Sequence, residues 1–213
     1  KFVAPELMSR LGSLDEAKRE ELLNALANRI ANKDIKFFFE DQAMQELVED
    51  SGVAGKDYEL GIGFTGDYLA LVNTNVAGGK TDVLMDQSAT LRSEVDSSGL
   101  IHNHLIFTRI HGGGGNEAPW YNHQSQNFFK VFTKPESVLI SIKGGARKEI
   151  VPIARYSLGG YRVDQDLARV EETRTILDTL PDGYAETYVE SGKKVFSTWF
   201  NIEPGERRSL DLR

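Results

Sequence analysis

The sequence predicts an α+β chain, with an N-terminal helical annex followed by an antiparallel β-sandwich that carries one inserted helix. Three observations lead there. Apolar residues up to about residue 50 keep helical spacing, and from Tyr68 onward the period becomes that of extended strands. The extended runs are also short and separated by turns containing Gly or Pro, a sandwich pattern. The expected division is residues 1–56 for the annex and 57–213 for the sandwich.

In the annex, Ser13-Leu14-Asp15-Glu16 has the form of a capping box, with Ser13 as the expected N-cap. Leu22, Leu23, Leu26 and Ile30 then form one apolar stripe that is expected to be buried. Asn32-Lys33-Asp34 ends that helix. A second helix over Asp41–Glu49 is capped by Asp41 and closed by Ser51-Gly52.

Asp67 to His111 reads as strand, tight loop and hairpin, the middle of an antiparallel sheet. Tyr68–Val72 is an apolar strand, followed by the turn Ala77-Gly78-Gly79-Lys80-Thr81. Thr81–Gln87 fits either a helical turn or a strand. Ser88–Asp96 and Leu100–Ile110 form a hairpin around Ser97-Ser98-Gly99. In the first arm Ala89, Leu91 and Val95 alternate with polar residues, which predicts a half-buried strand. The second arm is apolar on both faces, which predicts a central strand.

Beyond a glycine-rich loop, His111 to Asn127, further strands are expected at Phe128–Thr133, Val138–Ile142, Ile150–Ala154 and Tyr161–Val163. Asp164–Leu180 reads as the inserted helix, stopped by Pro181-Asp182-Gly183. Lys194–Ile202 and Arg207–Leu212 then read as a closing hairpin around Glu203-Pro204-Gly205-Glu206, where Pro-Gly suits a type II turn.

Composition narrows the function classes. A chain of 213 residues with net charge −7 has no basic run, which argues against nucleic acid and anionic membrane as main partners. Absence of cysteine excludes cysteine catalysis and cysteine-ligated metal. No run of eighteen apolar residues occurs. The first residue is Lys1 rather than Met, and the expectation is that an anchoring segment precedes it.

Three stretches carry a family resemblance. They are Asn75-Val76-Ala77-Gly78-Gly79-Lys80-Thr81-Asp82, the hairpin around Gly99, and Gly192-Lys193-Lys194-Val195-Phe196 leading to Phe200-Asn201-Ile202-Glu203-Pro204-Gly205-Glu206. Upstream, Asn32-Lys33-Asp34-Ile35 with Phe37-Phe38 and Asp41 fits the same pattern. From about Leu22 to its end, the chain resembles the C-terminal part of a bacterial domain-of-unknown-function family. Members of that family sit in proteins anchored by an N-terminal transmembrane helix. A Tyr-x-Leu-Pro ending usual in the family is absent here. The resemblance implies an extracytoplasmic, membrane-tethered bacterial cell-envelope protein, and no activity.

Candidate chemistry is sparse. Gly78-Gly79-Lys80-Thr81 lacks the glycine that a phosphate loop needs five positions before Gly79, where Thr74 stands. His102 and His104 alternate on one strand, so both rings share a face and with a third ligand could hold a metal. A solvated polar face accounts for them better. Trp120, Tyr121 and Asn122 join ring faces to an amide, as surfaces for carbohydrate or peptide do. Equally, Trp120 could fold back to plug one end of the sandwich.

The expectation is therefore a non-catalytic envelope or surface module binding a polymer or protein partner. No catalytic residue, cofactor or metal is assigned, and the membrane is met only through an N-terminal anchor. Trp120, Tyr121, Asn122, His102 and His104 are the candidate binding residues. A metal-dependent enzyme using His-x-His is the alternative.

Overall fold

The computed structural model describes residues 3–76, 79–115, 118–150 and 159–213. The chain falls into two compact units, Lys1–Tyr58 and Glu59–Arg213. The first unit contains helices α1 (Val3–Gly12), α2 (Glu16–Ala31) and α3 (Gln42–Asp50). Asp15, not Ser13, caps α2: its carboxylate accepts from the Lys18 amide at 2.9 Å, while the Ser13 hydroxyl turns back to the Arg10 carbonyl. A carboxylate beside the positive helix end outcompetes a hydroxyl two residues earlier. Asp41 caps α3 through the Met44 amide, and Gly52 closes it at φ +69°.

The stripe expected to be buried on α2 is not. No residue of α2 is buried among those described, and Leu23 is 60% exposed. A unit this small hides little surface, and only Val48 of α3 is fully sequestered among the described residues of the three helices.

The second unit is the sandwich. One sheet has the order β1 (Leu69–Asn75), β4 (Ser125–Thr133), β8 (Lys193–Ile202), β7 (Ala185–Glu190), β6 (Thr175–Leu177). The other has β2 (Met85–Val95), β3 (Ile101–His111), β9 (Arg207–Leu212), β5 (Ile142–Lys143). Every pairing is antiparallel. A core of Leu105, Phe107, Phe129, Val131, Ile142, Ala185, Phe200, Ile202, Leu210 and Leu212 draws on both sheets. Phe107 stacks on Phe129 with ring centres 4.5 Å apart, which ties β3 to β4 across the sandwich.

Several expectations are corrected by this topology. β1 and the β2–β3 hairpin do not share a sheet: β1 and β2 are edge strands of different sheets, and a 3₁₀ turn at Thr81–Leu84 leads into β2. β2 is exposed from Asp86 to Val95, not half-buried, because among the described residues nothing covers its Ala89–Leu91–Val95 face. β3 is central, between β2 and β9.

β8 and β9 are not a hairpin. β8 pairs with β4 from Lys194 to Ile202, and β9 pairs with β3, so the Glu203–Glu206 turn carries the chain from one sheet to the other. Gly205 takes φ +79° there, and the Gly205 amide and Glu206 carbonyl both bond His111 at 2.9 Å, which pins the corner to β3.

The helix expected over Asp164–Leu180 is α4, Gln165–Thr173, capped by Asp164. It stops because the next residues are taken by the sheet. Arg174 bonds Glu186 through two hydrogen bonds of 2.7 and 2.8 Å, and Thr175–Leu177 pair with β7. Burial works against ionisation of Glu186, and the bonds from Arg174 and Tyr184 outweigh it, so its carboxyl sits below its ordinary range.

β7 has no sequence signal beyond the turn after it, where Ser191 (φ +51°) and Gly192 (φ +69°) both adopt the left-handed conformation of a two-residue hairpin turn. Of the expected strand Val138–Ile142, only Ile142 belongs to β5, although Ile140 and Ser141 bond the Arg213 carbonyl. Tyr161–Val163 is not extended into a strand. Positions 151–154 of the expected strand at Ile150 lie outside the described residues, as do Ala77 and Gly78.

Candidate functional site

The two ends of the sandwich differ in chemistry. At the end where β3 finishes, the interior is polar and tied shut. Arg109 is 1% exposed and reaches Asp82 and Ser125. The Asn75 amide donates to the Gly79 carbonyl and, at 2.8 Å, to the Thr81 hydroxyl. The His111 ring donates from Nε2 to the His123 carbonyl at 2.9 Å, and its Nδ1 accepts from the Gly113 amide.

Trp120, Tyr121 and Asn122 sit at this closed end. The loop from His111 is not the structureless segment expected. Pro119–Tyr121 is a 3₁₀ turn, β4 already begins at Ser125, and Asn122 Oδ1 accepts from the Gly114 amide at 2.7 Å. The Lys80 amide bonds the Trp120 carbonyl. Asn116 and Glu117 lie outside the described residues. Trp120 is 56% exposed and meets Tyr121 edge-on, with ring centres 5.8 Å apart, so the indole does not plug the sandwich.

The opposite end is open. A cavity of about 730 Å³ enters between the sheets where β3 begins. Leu69, Leu105, Leu139, Val131, Phe196 and Leu212 line it, continuing the apolar core outward. Asp67, Lys134, Glu136 and Arg213 also line it, so charges of both signs surround the apolar part. Ser93 Oγ donates to Asn103 Oδ1, and the Asn103 amide donates to Asp67, each at 2.6 Å, which fixes one side of the mouth. Pockets of this size with apolar walls and few polar groups are the ordinary form of a ligand site. Its lining comes from distant segments, so no local motif announces it.

His102 and His104 lie on the stretch of β3 beside this cavity, a β3-length away from Trp120, but their rings are not inside it. Strand alternation puts both rings on the face opposite Leu105 and Phe107. Each already engages a different carboxylate: His102 Nε2 meets Asp96 Oδ2, and His104 Nε2 meets Asp211 Oδ1, both at 2.9 Å. Among the described residues no cluster of three or more metal-capable side chains forms.

Asp96 organises the hairpin end of this rim. It accepts from the Ser98 amide and hydroxyl, the Leu100 amide and the His102 ring. The Ser98 hydroxyl first, then the His102 ring and the Ser98 amide, hold its carboxyl far below the ordinary carboxylate range. A depressed folded-state value means this stabilisation is complete above the unfolded value of 3.8 and is lost as pH falls from there. The Asp96 side-chain carbon resonance is therefore expected to stay flat down to about pH 3. A midpoint near 4 would show that the Ser98 and His102 bonds do not form in solution.

No family model, curated protein or solved structure matches the chain. Among the described residues, no helix is long and apolar enough to cross a membrane.

Proposed function

We propose that the chain is a non-catalytic binding module that takes an extended, apolar segment of a partner protein into the cleft between its sheets. The observation that carries this reading is the cavity of about 730 Å³ with an apolar floor and a rim of mixed charge. Aliphatic walls suit alternating side chains of an extended peptide, and rim charges of both signs suit its polar groups. A polyanion would meet Asp67 and Glu136 at the mouth. A sugar polymer would want exposed ring faces, and the core-side aromatic at the cleft, Phe196, is only 6% exposed. As part of the same proposal, an extracytoplasmic, membrane-tethered location in a bacterial envelope rests on the turn-centred motifs.

The test is chemical-shift mapping against a library of extended peptides with alternating apolar residues. Binders are expected to move the resonances of Leu69, Leu105, Val131 and Phe196, and Leu139→Arg is expected to weaken them at least about tenfold without unfolding the chain. A library in which no member moves those resonances would sink the reading. A second reading, an envelope polysaccharide held by Trp120, Tyr121 and Asn122, is favoured by the 56% exposure of Trp120. It predicts shifts at the closed end instead.

A further inference from the structure

We infer that two copies of this chain join through the free edge of β2, pairing antiparallel about Ala89 to make one continuous sheet. β2 ends its sheet, with no strand beyond it among the described residues. It is eleven residues long and exposed from Asp86 to Val95. Its register with β3 runs unbroken from Met85↔His111 to Val95↔Ile101, so no bulge twists the edge away. Neither Pro nor Gly interrupts it. Edges of this length are normally blunted by a bulge, a proline, a cover or charge, and this one carries only the charges of Asp86, Arg92 and Glu94.

The backbone geometry says which groups are on offer. The Asp96 amide donates to the Leu100 carbonyl, and the Gly112 amide donates to the Leu84 carbonyl. Even-numbered residues of β2 therefore turn their backbone groups toward β3. Met85, Gln87, Ala89, Leu91, Ser93 and Val95 turn theirs outward.

Charge chooses the occupant and the register. Centred on Ala89, an antiparallel second copy sets Asp86 against the partner's Arg92, twice by symmetry, at positions between the bonded pairs where side chains approach most closely. Ser88 meets the partner's Thr90, and Met85 meets the partner's Ser93. Centring on Thr90 would set Asp86 against the partner's Glu94, and centring on Arg92 would oppose two arginines. Centring on Ser93 joins Arg92 to the partner's Glu94 but leaves only a short ladder before the Asp96 turn. The edge is thus complementary to itself over residues 85–93, which favours a second copy over an unrelated strand. Such a contact is isologous and closes as a dimer. It leaves the cleft reading untouched, because it uses the edge of the sheet and not the space between sheets.

The absence of cysteine makes the register directly measurable. At the two-fold centre the Cα atoms of a bonded pair lie about 5.5 Å apart, within disulfide reach. Mild oxidation of Ala89→Cys in the full chain is expected to give a covalent dimer. In that register, the two copies of residue 93 lie roughly 27 Å apart, so Ser93→Cys is expected to stay unlinked. Sedimentation of the unmodified chain is expected to approach twice the 23.8 kDa of one copy as concentration rises. Ala89→Pro, which removes an outward amide and spares the β3 ladder, is expected to return it to one copy. Arg92→Asp is expected to weaken association at least about tenfold, and adding Asp86→Arg to restore it. A chain that stays at the mass of one copy at every concentration overturns the proposal, and so does equal cross-linking through positions 89 and 93.

Discussion

Phe200→Ala is expected to cost about 3–5 kcal/mol of stability, the range for truncating a buried phenylalanine. Phe200 is 0% exposed on the inner face of β8, with Phe107 from the facing sheet 6.3 Å away between ring centres and the Arg208 guanidinium 5.7 Å from its own. The cavity would open between two sheets whose strand ladders each lie within one sheet, so neither can close in without shifting a whole ladder. For a chain of this size the loss should lower Tm by roughly 6–20 °C. Urea unfolding followed by circular dichroism reads it directly. A loss below about 1 kcal/mol would mean the two sheets are not held together through this cluster.

Gly144→Ala should be nearly as damaging, for a different reason. Gly144 stands at φ +84°, and a Cβ added there would run into the carbonyl oxygen of Ser209 on β9. The left-handed conformation alone costs about 1–2 kcal/mol with a side chain. Forcing a backbone carbonyl aside adds about 1–3 kcal/mol. Gly99→Ala is the control: Gly99 has φ +86° but no atom within 4 Å of the added Cβ, so it should show only the first part. Equal losses in the two variants, measured by urea unfolding, would mean that Ser209 is not where the structure puts it.

Gly144 also explains why the closing half of the chain was hard to read. Just before it, Ile142 and Lys143 pair with β9 in one sheet, and just after it, Ala146 bridges to Trp199 in the other. A glycine marks the spot in the sequence, but nothing local says that the chain changes sheets there. The same holds for Pro204-Gly205. The turn type is legible from two residues, whereas the partners of β8 and β9 are set by β4 and β3, some seventy to a hundred positions earlier.

Local sequence signals are legible where the physics is local. Asp41 caps its helix, Gly99 turns the hairpin, and β3 is central in its sheet, although Ile106 and Ile110 on its outer face remain exposed. Leu177 and Leu180 misled because they keep helical spacing with Val170, yet they pack against the core between the sheets while Val170 packs against a separate cluster around Phe132, Tyr188 and Val195. On β2 the alternation of Ala89, Leu91 and Val95 is real. Whether an alternating strand is covered depends on neighbours that alternation does not encode. Of the candidate residues, His102 and His104 lie on the strand beside the cleft with their rings on its outer face, and Trp120, Tyr121 and Asn122 lie at the other end. The cleft itself was invisible, since Leu69, Leu105, Val131, Phe196 and Leu212 meet only after both sheets are built.

The position of β9 between β3 and β5 has a consequence for how the chain is made. Thr108 on β3 and Ser209 on β9 share a hydrogen bond across 101 positions of sequence. A ribosome adds residues at about 5–20 per second, so β3 waits roughly 5–20 s for its second neighbour. Through that interval the nascent β2–β3 hairpin carries an unpaired row of amides and carbonyls on both sides, with Leu105 and Phe107 uncovered. Pairings with so large a sequence separation are also slow to form once the chain is released. Biogenesis, more than equilibrium stability, is where this arrangement of strands is most exposed to error, and a holdase binding the hairpin would act during those seconds.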